Sequence, residues 1–120
     1  MPKTIMIVDD EDDIRSSVEK ILTSNGYEVV TAKDADDCLK KLKTVKPDLI
    51  LMDIMMPGTP VKKIVPKIKN TNIAYLSVVR LADAEKEGLI FDNVVDFIQK
   101  PFNMDELLQK VRIFSKKRWT

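Results

Sequence analysis

The chain has 120 residues, enough for one domain, and 44% of them are hydrophobic, so a single core needs neither metal nor disulfide to hold it. Twenty basic residues against 19 acidic ones leave a formal charge of +1, which excludes the strong basic excess of a nucleic-acid binder. No histidine is present, which removes the usual neutral-pH acid/base and the commonest metal ligand, and the lone Cys38 excludes an internal disulfide.

The first element is Thr4-Ile5-Met6-Ile7-Val8, a short β-branched apolar run of the kind that forms a strand buried on both faces. It stops at Asp9-Asp10-Glu11-Asp12-Asp13. Ile14, Val18, Ile21 and Leu22 then recur at helical spacing, with acids at the front and Gly26 as the stop. The pattern repeats: a strand at Tyr27 to Thr31, a helical stripe at Ala35, Cys38, Leu39, Leu42 and Val45, and a second doubly buried strand at Asp48 to Met52. Cys38 sits on its stripe and reads as a core thiol.

Val61, Ile64, Val65 and Ile68 have helical spacing, with Thr59-Pro60 as N-cap and first-turn proline. Pro66 interrupts the stripe by removing a backbone donor, so this third helix should be short or kinked. Ile73 to Val79 reads as a strand, Asp83 to Ile90 as a weak helix broken by Gly88, and Val94 to Ile98 as the last strand. Met104, Leu107, Leu108, Val111 and Phe114 mark a closing helix capped by Asn103. Five strands alternating with five helices argue for an α/β, doubly wound parallel sheet in one domain over residues 1–120. No signal peptide or membrane span is legible, which points to a cytoplasmic protein.

In open α/β sheets ligands bind beyond the carboxyl ends of the strands, where strand order reverses. With the order 2-1-3-4-5, Asp9-Asp10, Asp53 and Lys100 meet there. Two unit charges 4 Å apart repel by about 4 kcal/mol at an effective dielectric of 20, more than one lysine can offset among three acids. Oxygen donors without histidine or thiolate favour Mg2+. Asp12 and Asp13 have the competing reading of decorating a helix N-terminus.

Three segments, Val8-Asp9-Asp10-Glu11, Asp48 through Asp53 to Pro57-Gly58, and Asp96-Phe97-Ile98-Gln99-Lys100-Pro101-Phe102, together resemble the receiver domain of two-component response regulators. The resemblance spans the chain and implies a flavodoxin-like fold. It implies that Asp53 accepts a phosphoryl group from a phosphohistidine of a sensor histidine kinase. It further implies that Asp10, Asp53 and the Met55 backbone carbonyl hold Mg2+ directly, with Asp9 acting through water. Lys100 would neutralise a phosphoryl oxygen, Lys100-Pro101 would be cis, Ser77 would read the phosphoryl group, and Phe97 would swing inward on activation. The output would be a changed surface on helix 4, strand 5 and helix 5 for a downstream protein or for self-association.

Departures from the family pattern are Ser77 in place of threonine, Val78 where a small residue is usual beside the pocket, and a short Asp53-to-Ser77 interval. Met55 and Val79 flank the path of a hydrolytic water in this family, and both are apolar, so the phosphoaspartate should decay slowly. Two other readings stay open: a degenerate receiver that binds partners without phosphorylation, and an aspartate-nucleophile phosphatase, against which Met55 stands where such enzymes carry a second acid. No output domain is read from these 120 residues. Ile113 and Trp119, off the core stripe of the last helix, are candidates for partner contact, and the basic tail from Lys116 is a solvated helix end rather than a nucleic-acid site.

Overall fold

Doubly buried parallel strands carry continuous apolar runs because helices must cover both faces of the sheet. The computed structural model describes residues 2–116, so Trp119 lies outside the described residues. In chain order the elements are β1 (Thr4–Val8), α1 (Asp12–Ser24), β2 (Glu28–Ala32), α2 (Ala35–Lys41), β3 (Leu49–Asp53), α3 (Val61–Ile64) running into a 3-10 turn (Val65–Lys67), β4 (Asn72–Ser77), α4 (Leu81–Lys86), β5 (Val94–Gln99) and α5 (Met104–Phe114). All strand pairs are parallel, in the order β2-β1-β3-β4-β5.

The alternation of side chains splits the core in two. Met6, Ile50, Met52, Ile73 and Tyr75 pack under α2 and α3, while Ile5, Ile7, Leu51 and Leu76 meet Val18 and Leu22 of α1 and Leu107 and Val111 of α5. Each such side chain contributes about 1.5–3 kcal/mol by leaving water. Between Ile73↔Val94 and Ala74↔Asp96 the β4–β5 register slips, leaving Val95 as an extra residue on β5. Val94 and Phe97 therefore both reach the α2/α3 face, whereas Val95 and Ile98 reach the α1/α5 face.

Several ends differ from the sequence expectation. Thr59 is not a helix cap: Pro60 holds that position, and the Thr59 hydroxyl donates to Asp36 Oδ2 at 2.8 Å, tying the loop after β3 to α2. Pro66 falls in the 3-10 turn, where its missing N–H is tolerated. The second helix stops at Lys41, although Leu42 and Val45 stay half-buried beyond it, so the apolar stripe outlasts the helix. Gly88 ends α4 rather than interrupting it. With φ at +72° it lets the Gly88 N–H reach the Glu85 carbonyl and the Leu89 N–H reach the Ala84 carbonyl, a Schellman end that holds the helix to Leu81–Lys86. Asn103 caps α5 as expected, its side chain accepting the Glu106 N–H at 2.7 Å.

Cys38 is fully buried with its Sγ 3.6 Å from Met6 Sδ. Burial, with the neighbouring Asp37 charge adding to it, pushes the thiol up to about 12. The native protein is expected to resist alkylation near pH 8 and to react fully in denaturant, as followed by intact mass. Rapid labelling under native conditions would contradict this placement.

Candidate functional site

Three strand ends are built alike. Asp9, just after β1, accepts the Glu11 N–H on Oδ1 at 2.9 Å; Asp53, closing β3, accepts the Met55 N–H on Oδ1 at 2.9 Å; Ser77, closing β4, accepts the Val79 N–H on Oγ at 3.1 Å. In each case a short polar side chain bonds the amide two residues on, so the chain turns off the sheet and leaves the remaining lone pairs facing the same edge. The order of the strands places these turns side by side.

Lys100 joins them from β5. Its backbone N–H donates to the Ser77 carbonyl at 2.8 Å, which fixes it to the end of β4, and the Lys100–Pro101 peptide is cis as expected. The ammonium donates to Asp9 Oδ2 at 2.7 Å and to Asp53 Oδ2 at 3.2 Å, with Glu11 Oε1 at 3.8 Å. Asp9 is fully buried, Asp53 is 4% exposed and the Lys100 side chain is 10% exposed. Asp10 is exposed, and among the described residues no amide or cation engages its carboxylate.

One carboxylate oxygen each from Asp9, Asp10 and Asp53 lies within 4.8 Å of the others. Two unit charges at that distance repel by about 3.5 kcal/mol at an effective dielectric of 20. Burial pushes the Asp53 carboxyl up, against the Met55 amide and the Lys100 charge, which pull it down, while Asp9 adds to the rise. Burial alone would lower Lys100, yet the hydrogen bond to Asp9 and the Asp53 charge hold it above its ordinary value. The set is short of positive charge. Its donors are oxygen only, in number and hardness suited to Mg2+ rather than to zinc. Both Asp9 oxygens are already engaged, by Lys100 and the Glu11 amide, whereas Asp10 is open.

The remaining expected residues fall around this centre. Ser77 is fully buried and pairs in register with Gln99; Phe97 is half-buried, in register with Tyr75 and edge-on to its ring at 6.5 Å. Met55 and Val78 are 60% and 63% exposed and line a cleft of about 1040 Å³ whose wall includes Ile54, the residue after Asp53. Val78 is thus the most exposed large hydrophobic among the described residues. Ile113 is 52% exposed on α5, remote from the acids in sequence and on a face the core does not use.

Sequence reasoning missed Arg15. One turn into α1, it donates to the Asp9 carbonyl at 2.6 Å and pairs with Asp12, holding the Asp9 loop against the helix. The only sequence signal was a cation amid a run of acids.

Comparison with known proteins adds three findings. The family model for the response regulator receiver domain matches residues 5–112. Among curated proteins, the chain is 32% identical over 93% of its length to the alkaline phosphatase synthesis transcriptional regulatory protein PhoP of Bacillus subtilis, covering 48% of it. It is 34% identical over 90% of its length to protein PilG of Pseudomonas aeruginosa, covering 84%. The chain spans about half the length of the first curated relatives it matches. Among solved structures, a CheY-like receiver domain protein from Methanospirillum hungatei aligns with a TM-score of 0.83 at 26% identity, covering 96% of this chain and 94% of that one. Chemotaxis protein CheY4 of Vibrio cholerae aligns with a TM-score of 0.83 at 29% identity, covering 95% and 99%.

Proposed function

Because the chain belongs to the response regulator receiver domain family, we propose that it is a signalling switch whose Asp53 accepts a phosphoryl group from a phosphohistidine on a sensor histidine kinase. In that step an Asp53 carboxylate oxygen forms the bond to phosphorus while the P–N bond to the donor breaks, the imidazole keeping the electron pair. The observation that carries this reading is the placement of Asp53: an acid closing an apolar strand, with its Oδ1 turned by the Met55 amide and its Oδ2 3.2 Å from Lys100. The shared amide and ammonium orient one carboxylate edge and leave the charge of the arriving phosphoryl group a cation to meet.

Asp10, Asp53 and the Met55 backbone carbonyl would hold Mg2+, with Asp9 contributing through water; when bound, the ion supplies charge neutralisation on the phosphoryl oxygens. Lys100 is the protein's own cation for the same purpose. Ser77 reads the modified Asp53, and Phe97 follows by inward movement toward the space it shares with Tyr75. A dianionic group of this kind shifts a pre-existing equilibrium instead of creating a new state. The surface it alters is that of α4, β5 and α5. There Leu81 and Ile90, each nearly half exposed, border a groove of about 440 Å³ that Phe97 also lines, and Ile113 stands on α5. Output passes to a downstream protein or through self-association, in the cytoplasm. No helix among the described residues is long and apolar enough to cross a membrane.

Treatment with a small acyl phosphate and Mg2+, followed by intact mass, is expected to show one phosphate adduct that disappears on Asp53→Asn. No adduct, or an adduct that survives the substitution, overturns the reading and favours a silent binding module. The protein itself turns over no generic phosphate monoester in this reading, and steady release of phosphate from one would favour a phosphatase.

The adduct is further expected to be long-lived. The side chains of Met55 and Val79 carry no polar atom that could orient an attacking water beside Asp53 and Ser77, and their amides are already given to Asp53 and Ser77. Decay measured after removal of the phosphodonor should be faster in Met55→Asn than in the unaltered protein; equal rates count against this role for the two side chains.

A further inference from the structure

The near-neutral total conceals a cluster of one sign at the end of the sheet opposite the acids. Lys43 and Lys46, after α2, and Lys67 and Lys69, at and after the 3-10 turn, line one groove of about 350 Å³. All four are exposed, the groove contains no carboxylate, and among the described residues none of the four forms an ion pair, although Lys41, Lys100 and Lys110 each do. Helix dipoles do not account for them, since Lys43, Lys46 and Lys69 lie outside any helix. Like charges gathered around one groove repel one another, and no carboxylate in the groove offsets them.

The floor between the lysines is apolar. Leu39, Leu42 and Val45, the stripe that continues beyond the end of α2, are half-buried there. An apolar floor inside a cationic rim complements a chain that alternates acidic and apolar side chains. It fits nucleic acid poorly: the groove has no arginine to fork onto phosphate and no aromatic ring to stack on a base. Asp53 sits at the far end of β3, a five-residue strand whose ends lie about 13 Å apart at 3.3 Å per residue. An occupant of the groove therefore leaves the acidic site free.

We propose that this groove is a docking site for an acidic, leucine- or phenylalanine-bearing segment of a partner protein, engaged whether or not Asp53 is phosphorylated.

The test uses the full 120-residue chain and fluorescence anisotropy with a labelled peptide alternating Glu with Leu and Phe. Binding is expected to weaken with salt, to be equal before and after phosphorylation of Asp53 with a small acyl phosphate and Mg2+, and to fall at least about tenfold for Lys43→Glu/Lys67→Glu. Both lysines are exposed, so the variant should keep its unfolding midpoint, and it should gain affinity for a peptide carrying Lys in place of Glu. The proposal is overturned if the reversal leaves affinity unchanged, if duplex DNA or phosphatidylglycerol vesicles compete more strongly than the peptide, or if sedimentation shows that the lysines bind a second copy of this chain instead.

Discussion

Replacing Lys100 with methionine is expected to lower the stability of the metal-free protein by about 3–5 kcal/mol, the usual cost of leaving a buried charge without its partner. The ammonium is the one cation within hydrogen-bond reach of both Asp9 and Asp53 among the described residues, at 2.7 and 3.2 Å, and Asp9 has no exposure to water at all. Methionine fills the same stem volume, so the loss reports charge and not a cavity. Burial already pushes the Asp53 carboxyl up, and without Lys100 it rises further. An acid whose folded pKa is raised binds more protons folded than unfolded, so stability falls as pH rises through the interval between the two values. The variant should therefore regain stability as the pH is lowered into that interval. Urea denaturation at several pH values checks this, and adding Asp53→Asn to Lys100→Met should restore part of the loss by removing one of the stranded charges. A loss below about 1 kcal/mol, or no restoration, would show that the pair is screened by water after all.

The second large effect is expected at Tyr75. Tyr75→Ala should cost about 3–5 kcal/mol, because it empties a fully buried aromatic site in the central sheet. Tyr75→Phe should cost about 1 kcal/mol, since it keeps the ring on Phe97 but leaves the Leu89 carbonyl without the hydroxyl now 2.7 Å away. The pair of variants separates packing from tethering. Leu89 follows the Schellman end of α4, so the phenylalanine variant should speed amide exchange there while the strands keep their protection. Uniform acceleration across the sheet would mean that the hydroxyl supports the whole core instead.

Central strands were legible because β1 and β3 are buried on both faces and need unbroken apolar runs; Ile5 to Val8 and Leu49 to Met52 have no competing reading. The acids were legible for the converse reason, since Asp9 and Asp53 end such runs where a polar residue has no packing role. What escaped depends on contacts between segments distant in sequence or on a single backbone dihedral. Thr59 looks like a cap in any local reading, and only the position of Asp36 claims its hydroxyl. Gly88 looks like a flaw in a longer helix until its positive φ makes it the end of a shorter one. Arg15 gains its role from an Asp9 carbonyl that local spacing does not single out.

The extra residue Val95 makes β5 unequal in its tolerance of length changes. Upstream of the slip, a deletion removes only the surplus residue and converts the ladder with β4 to strict alternation, leaving Phe97 opposite Tyr75 and Lys100 at the acids. Downstream of it, loss of a single residue such as Ile98 inverts every following side chain, turning the exposed Gln99 into the buried place of Ile98 opposite Leu76 and withdrawing the ammonium from Asp9 and Asp53. One short strand thus holds a stretch that can lose one residue without changing the register beyond it and a stretch that cannot, with the boundary at Asp96.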